Sequence, residues 1–114
     1  MASDPYLLER MRRILAEHSV VWTEKSMFGG DCFMVDDKML IGTFKGGIMA
    51  RINPDEAEIL IQRDGAAPMM HGGRRMKGYI YLTDEAYDRD EDLSFWMEEC
   101  LEFNPLAKLS KKKE

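Results

Sequence analysis

The apolar residues first repeat at helical spacing. Leu7, Leu8, Met11, Ile14 and Leu15 fall at i, i+1, i+4, i+7 and i+8, one stripe of a helix. Glu9, Arg10, Arg12, Arg13 and Glu17 take the other side. Asp4 is placed to cap this helix and Pro5 suits its first position, so the pattern predicts a helix over Pro5–Glu17. The period then changes. Val20–Met27, Asp31–Val35, Met39–Phe44 and Ile48–Ile52 are short and rich in strand formers. Gly29-Gly30, Asp36-Asp37-Lys38 and Gly46-Gly47 separate them. Connections this short join antiparallel neighbours, and a meander follows.

A second helix starts at Asn53-Pro54-Asp55-Glu56, with Asn53 as cap, Pro54 at the first position and Glu56 able to reach back. Ala57, Leu60 and Ile61 give it a narrow apolar face, and Asp64-Gly65 ends it. Residues 66–76 read as a loop before a last strand, Gly78–Leu82. Leu93, Trp96, Met97, Cys100 and Leu101 restore helical spacing and predict a third helix over Asp92–Phe103, closed by Asn104-Pro105. Phe95 falls nearly opposite that stripe. The order α-β-β-β-β-α-β-α predicts an α+β fold, an antiparallel sheet of about five strands packed with helices.

The chain has 114 residues, 45% apolar and 32% charged, which suits one globular domain. We expect a single domain over residues 1–107, followed by a lysine-rich tail at 108–114. The longest apolar runs, Cys32–Val35 and Tyr79–Leu82, are far too short for a membrane helix, so no membrane partner is expected. The start lacks a secretory signal, and the two cysteines form no CxxC pair, so the expected location is cytoplasmic. The net charge of −5 is unevenly placed. Residues 83–104 carry nine acids against one arginine, and 108–114 carry four lysines against one glutamate. An acidic segment where a basic stripe would be needed argues against tight direct DNA binding, and the tail reads as a solvated end.

Candidate chemistry is sparse. His18, Cys32, His71 and Cys100 have none of the spacings of zinc or haem sites, so no metal and no cofactor is expected. Cys32 and His71 are a conceivable thiolate pair, but both cysteines read as buried core. The acids at 88–92 and 98–102 read as solvated helix faces. His71–Gly78 concentrates glycine and positive charge. It reads as a loop whose arginines pair with the acidic third helix, or else as an anion or partner site made by Gly73, Arg74, Arg75 and Lys77 with Arg51. Most of the ten methionines read as core, with Met69-Met70 beside Pro68 as an exposed apolar contact.

Met27-Phe28-Gly29-Gly30, Lys38 and Gly42, Ile48-Met49-Ala50-Arg51, Pro68-Met69 and Gly73-Arg74-Arg75-Met76-Lys77-Gly78-Tyr79 form an ordered set. With Leu93 and Trp96 and the lysine-rich end, this set resembles the TfoX/Sxy N-terminal domain family over residues 5–112. The resemblance implies a secretion-chaperone-like α+β fold and a role like that of bacterial regulators of natural competence. Those regulators are thought to act with the cyclic-AMP receptor protein, and no catalytic residues are established for them. They carry a second, C-terminal domain, whereas this sequence stops at Glu114, so a stand-alone single-domain member is expected. The resulting expectation is a non-enzymatic protein-interaction module with regulatory use. Its rival is a small anion-binding protein or enzyme using the Gly73–Gly78 segment and Arg51. No residue names the protein partner. A weak or moderate homodimer is expected, with Phe95 or the Met69-Met70 loop in contact.

Overall fold

A computed structural model describes residues 4–27 and 29–107. Helix α1 spans Pro5–Glu17, capped by the Asp4 carboxylate, which accepts from the Tyr6 N–H at 3.0 Å. It ends where Val20 N–H turns back to Leu15 O at 3.0 Å. That bond keeps Val20 out of the sheet, so the first strand starts at Thr23 and not at Val20.

Six strands follow in one antiparallel sheet: β1 Thr23–Met27, β2 Gly30–Val35, β3 Lys38–Phe44, β4 Gly47–Arg51, β5 Ala66–His71 and β6 Arg74–Leu82. Their order across the sheet is β1-β2-β3-β4-β6-β5. The α+β class and the antiparallel meander are as expected; the sheet has one strand more. Residues 66–76, expected as a loop, are β5, a two-residue turn and the start of β6. Pro68 and the glycine pair hide this hairpin from a period-2 reading. Proline is tolerated because β5 is an edge strand, where its missing N–H breaks no ladder. A register shift between Pro68 and Met70 removes the remaining alternation.

Helix α2, Pro54–Leu60, is capped by Asn53 Oδ1, which accepts from Asp55 N–H at 2.9 Å. A single turn, α3 (Asp84–Tyr87), precedes α4 (Asp90–Phe103), which starts two residues before the expected Asp92. Trp96 donates from Nε1 to Ala86 O at 3.2 Å and ties α3 to α4.

Two apolar clusters lie on opposite faces of the sheet. Helices α1 and α4 bury Met11, Leu15, Leu93, Trp96 and Met97 against Phe33, Ile41, Ile48, Ala50, Ile80 and Leu82. The other face gathers Cys32, Met34, Met39, Phe44, Met49 and Met69. A bulge explains the split: Phe33 pairs Ile41 but Met34 pairs Met39, so Leu40 is the extra residue and both flanking pairs keep their faces.

Arg10 corrects the helix pattern. Expected on the polar side, it is buried, with Nε 2.9 Å from Asp90 Oδ1 and Nη2 donating to Tyr87 O at 2.8 Å and Asp88 O at 3.3 Å. One guanidinium thus fastens α1 to the α3–α4 junction. Arg10→Leu should cost about 2–3 kcal/mol, because two carbonyls lose a charged donor. Asp90→Asn should cost under about 1 kcal/mol, since the carboxylate side is exposed and screened. Urea unfolding of both variants checks the asymmetry.

His18 closes α1. Its Nδ1 lies 2.9 Å from Ile14 O and its Nε2 3.2 Å from Glu98 Oε2. Both contacts, the Ile14 carbonyl first, raise the imidazole pKa above its ordinary value. Stability from this group is therefore complete below the unfolded value of about 6.5 and is lost as pH rises through the higher folded value. His18→Gln should flatten the dependence of unfolding free energy on pH above about 6, as measured by denaturant titrations across that window.

Candidate functional site

The glycine- and cation-rich segment becomes an arm. Pairing between β4 and β6 stops at Arg51 opposite Tyr79, where Ile52 N–H donates to Gly78 O at 2.7 Å. Arg74–Gly78 of β6 continue past that point, with Arg75 facing Met70 and Arg74 facing His71 in β5. Gly72 and Gly73 turn the hairpin with φ of 62° and 79°, the primed geometry that matches strand twist. Gly78, with φ of 80°, sits at the root, where a side chain would crowd Ile52 O and Pro54. The arm is thus a two-stranded ribbon leaving the sheet edge.

The expected site residues are distributed along it. Arg51 stays at the root, half-buried, its guanidinium 5.7 Å above the Tyr79 ring. Arg74 lies five residues farther along β6, about 16 Å at strand rise. No single cradle gathers Arg51 with Arg74. Arg75 donates to Glu58 Oε2 of α2 at 2.7 Å. Pairing with the acidic C-terminal helix was expected; α2 takes the arginine because it packs along β6, whereas α4 lies over β3 and β4. Arg74 and Lys77 are exposed, as are Pro68, Gly72 and Gly73. Met69 and Met70 part company: Met69 is fully buried in the methionine cluster, while Met70 is 50% exposed on the arm. Residues 66–78 contain no carboxylate.

Phe95 is half-buried on α4. It stands edge-on to Trp96 at 5.2 Å, and the Arg63 guanidinium lies 4.1 Å over its ring. That arginine also borders a shallow cleft of about 440 Å³ lined by charges of both signs, Arg63 and Arg89 against Asp64, Glu85 and Asp92.

A second hollow, about 420 Å³, is lined by His18, Glu98, Glu99, Leu101 and Glu102. Burial and then the neighbouring Glu102, Glu56 and Glu98 raise the Glu99 pKa, with Arg63 opposing. These acids lay in the sequence as an ordinary solvated face. The signal available was the i, i+4 pair Glu98 and Glu102 flanking Glu99, like charges that a helix gathers at a cost.

Nucleophilic chemistry finds no activated group among the described residues. Burial pushes the Cys32 thiol up to about 12 despite Lys25 and Arg51, and burial pushes Cys100 up as well. The His71 side chain, the other half of the conceivable pair, lies outside the described structure, as do Phe28 and the lysine tail at 108–114. No group of three or more His, Cys, Asp or Glu is placed to hold a metal among the described residues. Also among them, no helix is long and apolar enough to cross a membrane. Both cysteines should be inert to a thiol reagent at pH 7.5 and react fully in denaturant. A burst of one equivalent from the folded protein would contradict this.

Compared with known families, the chain matches the TfoX N-terminal domain over residues 14–104. Neither the curated proteins nor the solved structures return a match.

Proposed function

The chain belongs to the TfoX N-terminal domain family, and from that premise we propose that it is a non-enzymatic, cytoplasmic protein-interaction module serving a regulatory role. Residues 1–107 form the module, and 108–114 are an appended tail. The arm carries this reading. It holds Arg74, Lys77 and half-exposed Met70 beyond the end of β4, and it is rooted by Gly78 and by the Arg75–Glu58 pair. A cationic ribbon with an apolar side chain suits a protein surface that offers carboxylates around a small apolar spot.

The nine acids at 83–104 disfavour duplex DNA as the direct partner, since a helical layer of that sign repels phosphate. The rival, an anion-binding protein or enzyme using Arg51 and the Gly73–Gly78 segment, loses support because the ribbon spreads those cations along its length.

A photo-crosslinking side chain at position 70 tests the reading in cells producing the protein. A discrete protein adduct is expected from position 70 and not from Glu85, and R74E/K77E should abolish it. Equal yields from both positions, or an adduct indifferent to the charge reversal, would overturn it.

A further inference from the structure

The acidic hollow and the basic arm lie at the same end of the molecule. The last turns of α4 cross β4 at Arg51, whose backbone lies close enough to the Cys100 thiol to oppose the rise that burial imposes on its pKa. Glu99 and Glu102 flank Cys100 on α4, and Glu56 in the first turn of α2 is near enough to raise the Glu99 pKa. The arm leaves the sheet opposite that same Arg51, at Tyr79 and Gly78. Each feature lacks what the other supplies. The hollow crowds three glutamates around half-buried Leu101, with His18 reaching Glu98 and the Arg63 guanidinium acting on Glu99, so acids outnumber the cations near it. The arm carries Arg74, Lys77 and Met70 without a carboxylate.

We propose that the arm seats in the acidic hollow of a second copy of this chain, giving a two-fold dimer in which each protomer lends its arm to the other. This rests on the reading of the arm as a docking surface and names its partner. Opposite charges on neighbouring patches make the contact self-complementary: arm meets hollow twice, and the assembly closes at two. Lys77 and Met70, which share the Arg75 face of the ribbon, meet Glu99, Glu102 and Leu101, and Arg74 reaches the same carboxylates from the tip of the hairpin. The sheet edges do not offer an equivalent route. On β5, Pro68 and the adjoining register shift interrupt the edge. On β1, pairing about a two-fold axis normal to the sheet sets Lys25 against Lys25, or Glu24 against Glu24. Two small contacts dominated by charge make a weak dimer that salt loosens.

Charge exchange tests the interface. Sedimentation of the wild-type chain over a range of concentrations should show a monomer–dimer equilibrium. Its dissociation constant should rise about tenfold or more between about 0.05 and 0.5 M salt. R74E/K77E alone and E99K/E102K alone should each be monomeric, as each opposes like charges at both contacts. Mixed in equal amounts they should dimerise, because both contacts regain opposite signs. E102K alone, at an exposed position, replaces the double variant if circular dichroism shows that the latter is unfolded. A wild-type chain that stays monomeric throughout overturns the dimer, as does a dimer that survives both reversals. If position 70 crosslinks to a different protein while the chain sediments as a monomer, this inference falls and the docking reading stands.

Discussion

A six-stranded sheet has two faces to keep from water, and α1 and α4 cover only one. On the other face the burial of Met34, Met39, Met49, Met69, Cys32 and Phe44 is achieved largely by unbranched side chains lying over one another. Six of the ten methionines belong to this cluster or pack against it. A thioether chain with three rotatable bonds fits irregular gaps that branched residues would leave open. This explains a composition that otherwise looks arbitrary: methionine is used where no helix among the described residues interlocks with the strand face. It also sets the character of the arm, whose β5 and β6 are anchored by Met69 and Met76 in that same adaptable layer.

The arm follows from where pairing runs out. β4 ends at Arg51, yet the β5–β6 hairpin continues through Gly72-Gly73. Past Tyr79 the ribbon keeps one neighbour strand and gains the α2 flank through Arg75 and Glu58. Charge is sorted by this geometry. Helices α2, α3 and α4 are acidic, the ribbon carries cations, and a net charge of −5 conceals the separation. The molecule therefore presents surfaces of both signs at one end, a condition for recognising a partner by register as well as by area.

Legibility in the sequence followed periodicity. Helix α1 and its Asp4 cap, the meander and the Asn53 cap stood in plain pattern, because each buries one face and polar residues mark the other. The hairpin at 66–76 did not, since Pro68, the bulge and the glycine turn each erase alternation while leaving backbone pairing intact. Arg10 was misplaced for a different reason. A helical wheel assigns charge to solvent, but this guanidinium meets carbonyls freed at the end of α3, partners 77 residues or more away in sequence. Of the candidate site, residue types were readable and convergence was not: Arg51, Arg74 and Arg75 are close in kind, but the structure gives them separate neighbours.

The residues that carry the family resemblance separate by duty. Gly73 supplies a turn with positive φ, Gly78 a crowded root, Met69 and Met76 packing beneath the sheet, and Arg75 a brace to α2. Each is needed to build the ribbon whatever the ribbon does. Arg74 and Lys77 differ: both are exposed, and neither makes an ion pair among the described residues. Three positions apart on β6, about 10 Å along the strand and on opposite sides of it, these two cations brace the acid-free ribbon through no ion pair among the described residues. No described residue balances their charge, so the scaffold residues and these two cations answer to different constraints. Substitution within the first group should be read as a change in folding, and substitution of Arg74 or Lys77 as a change in recognition.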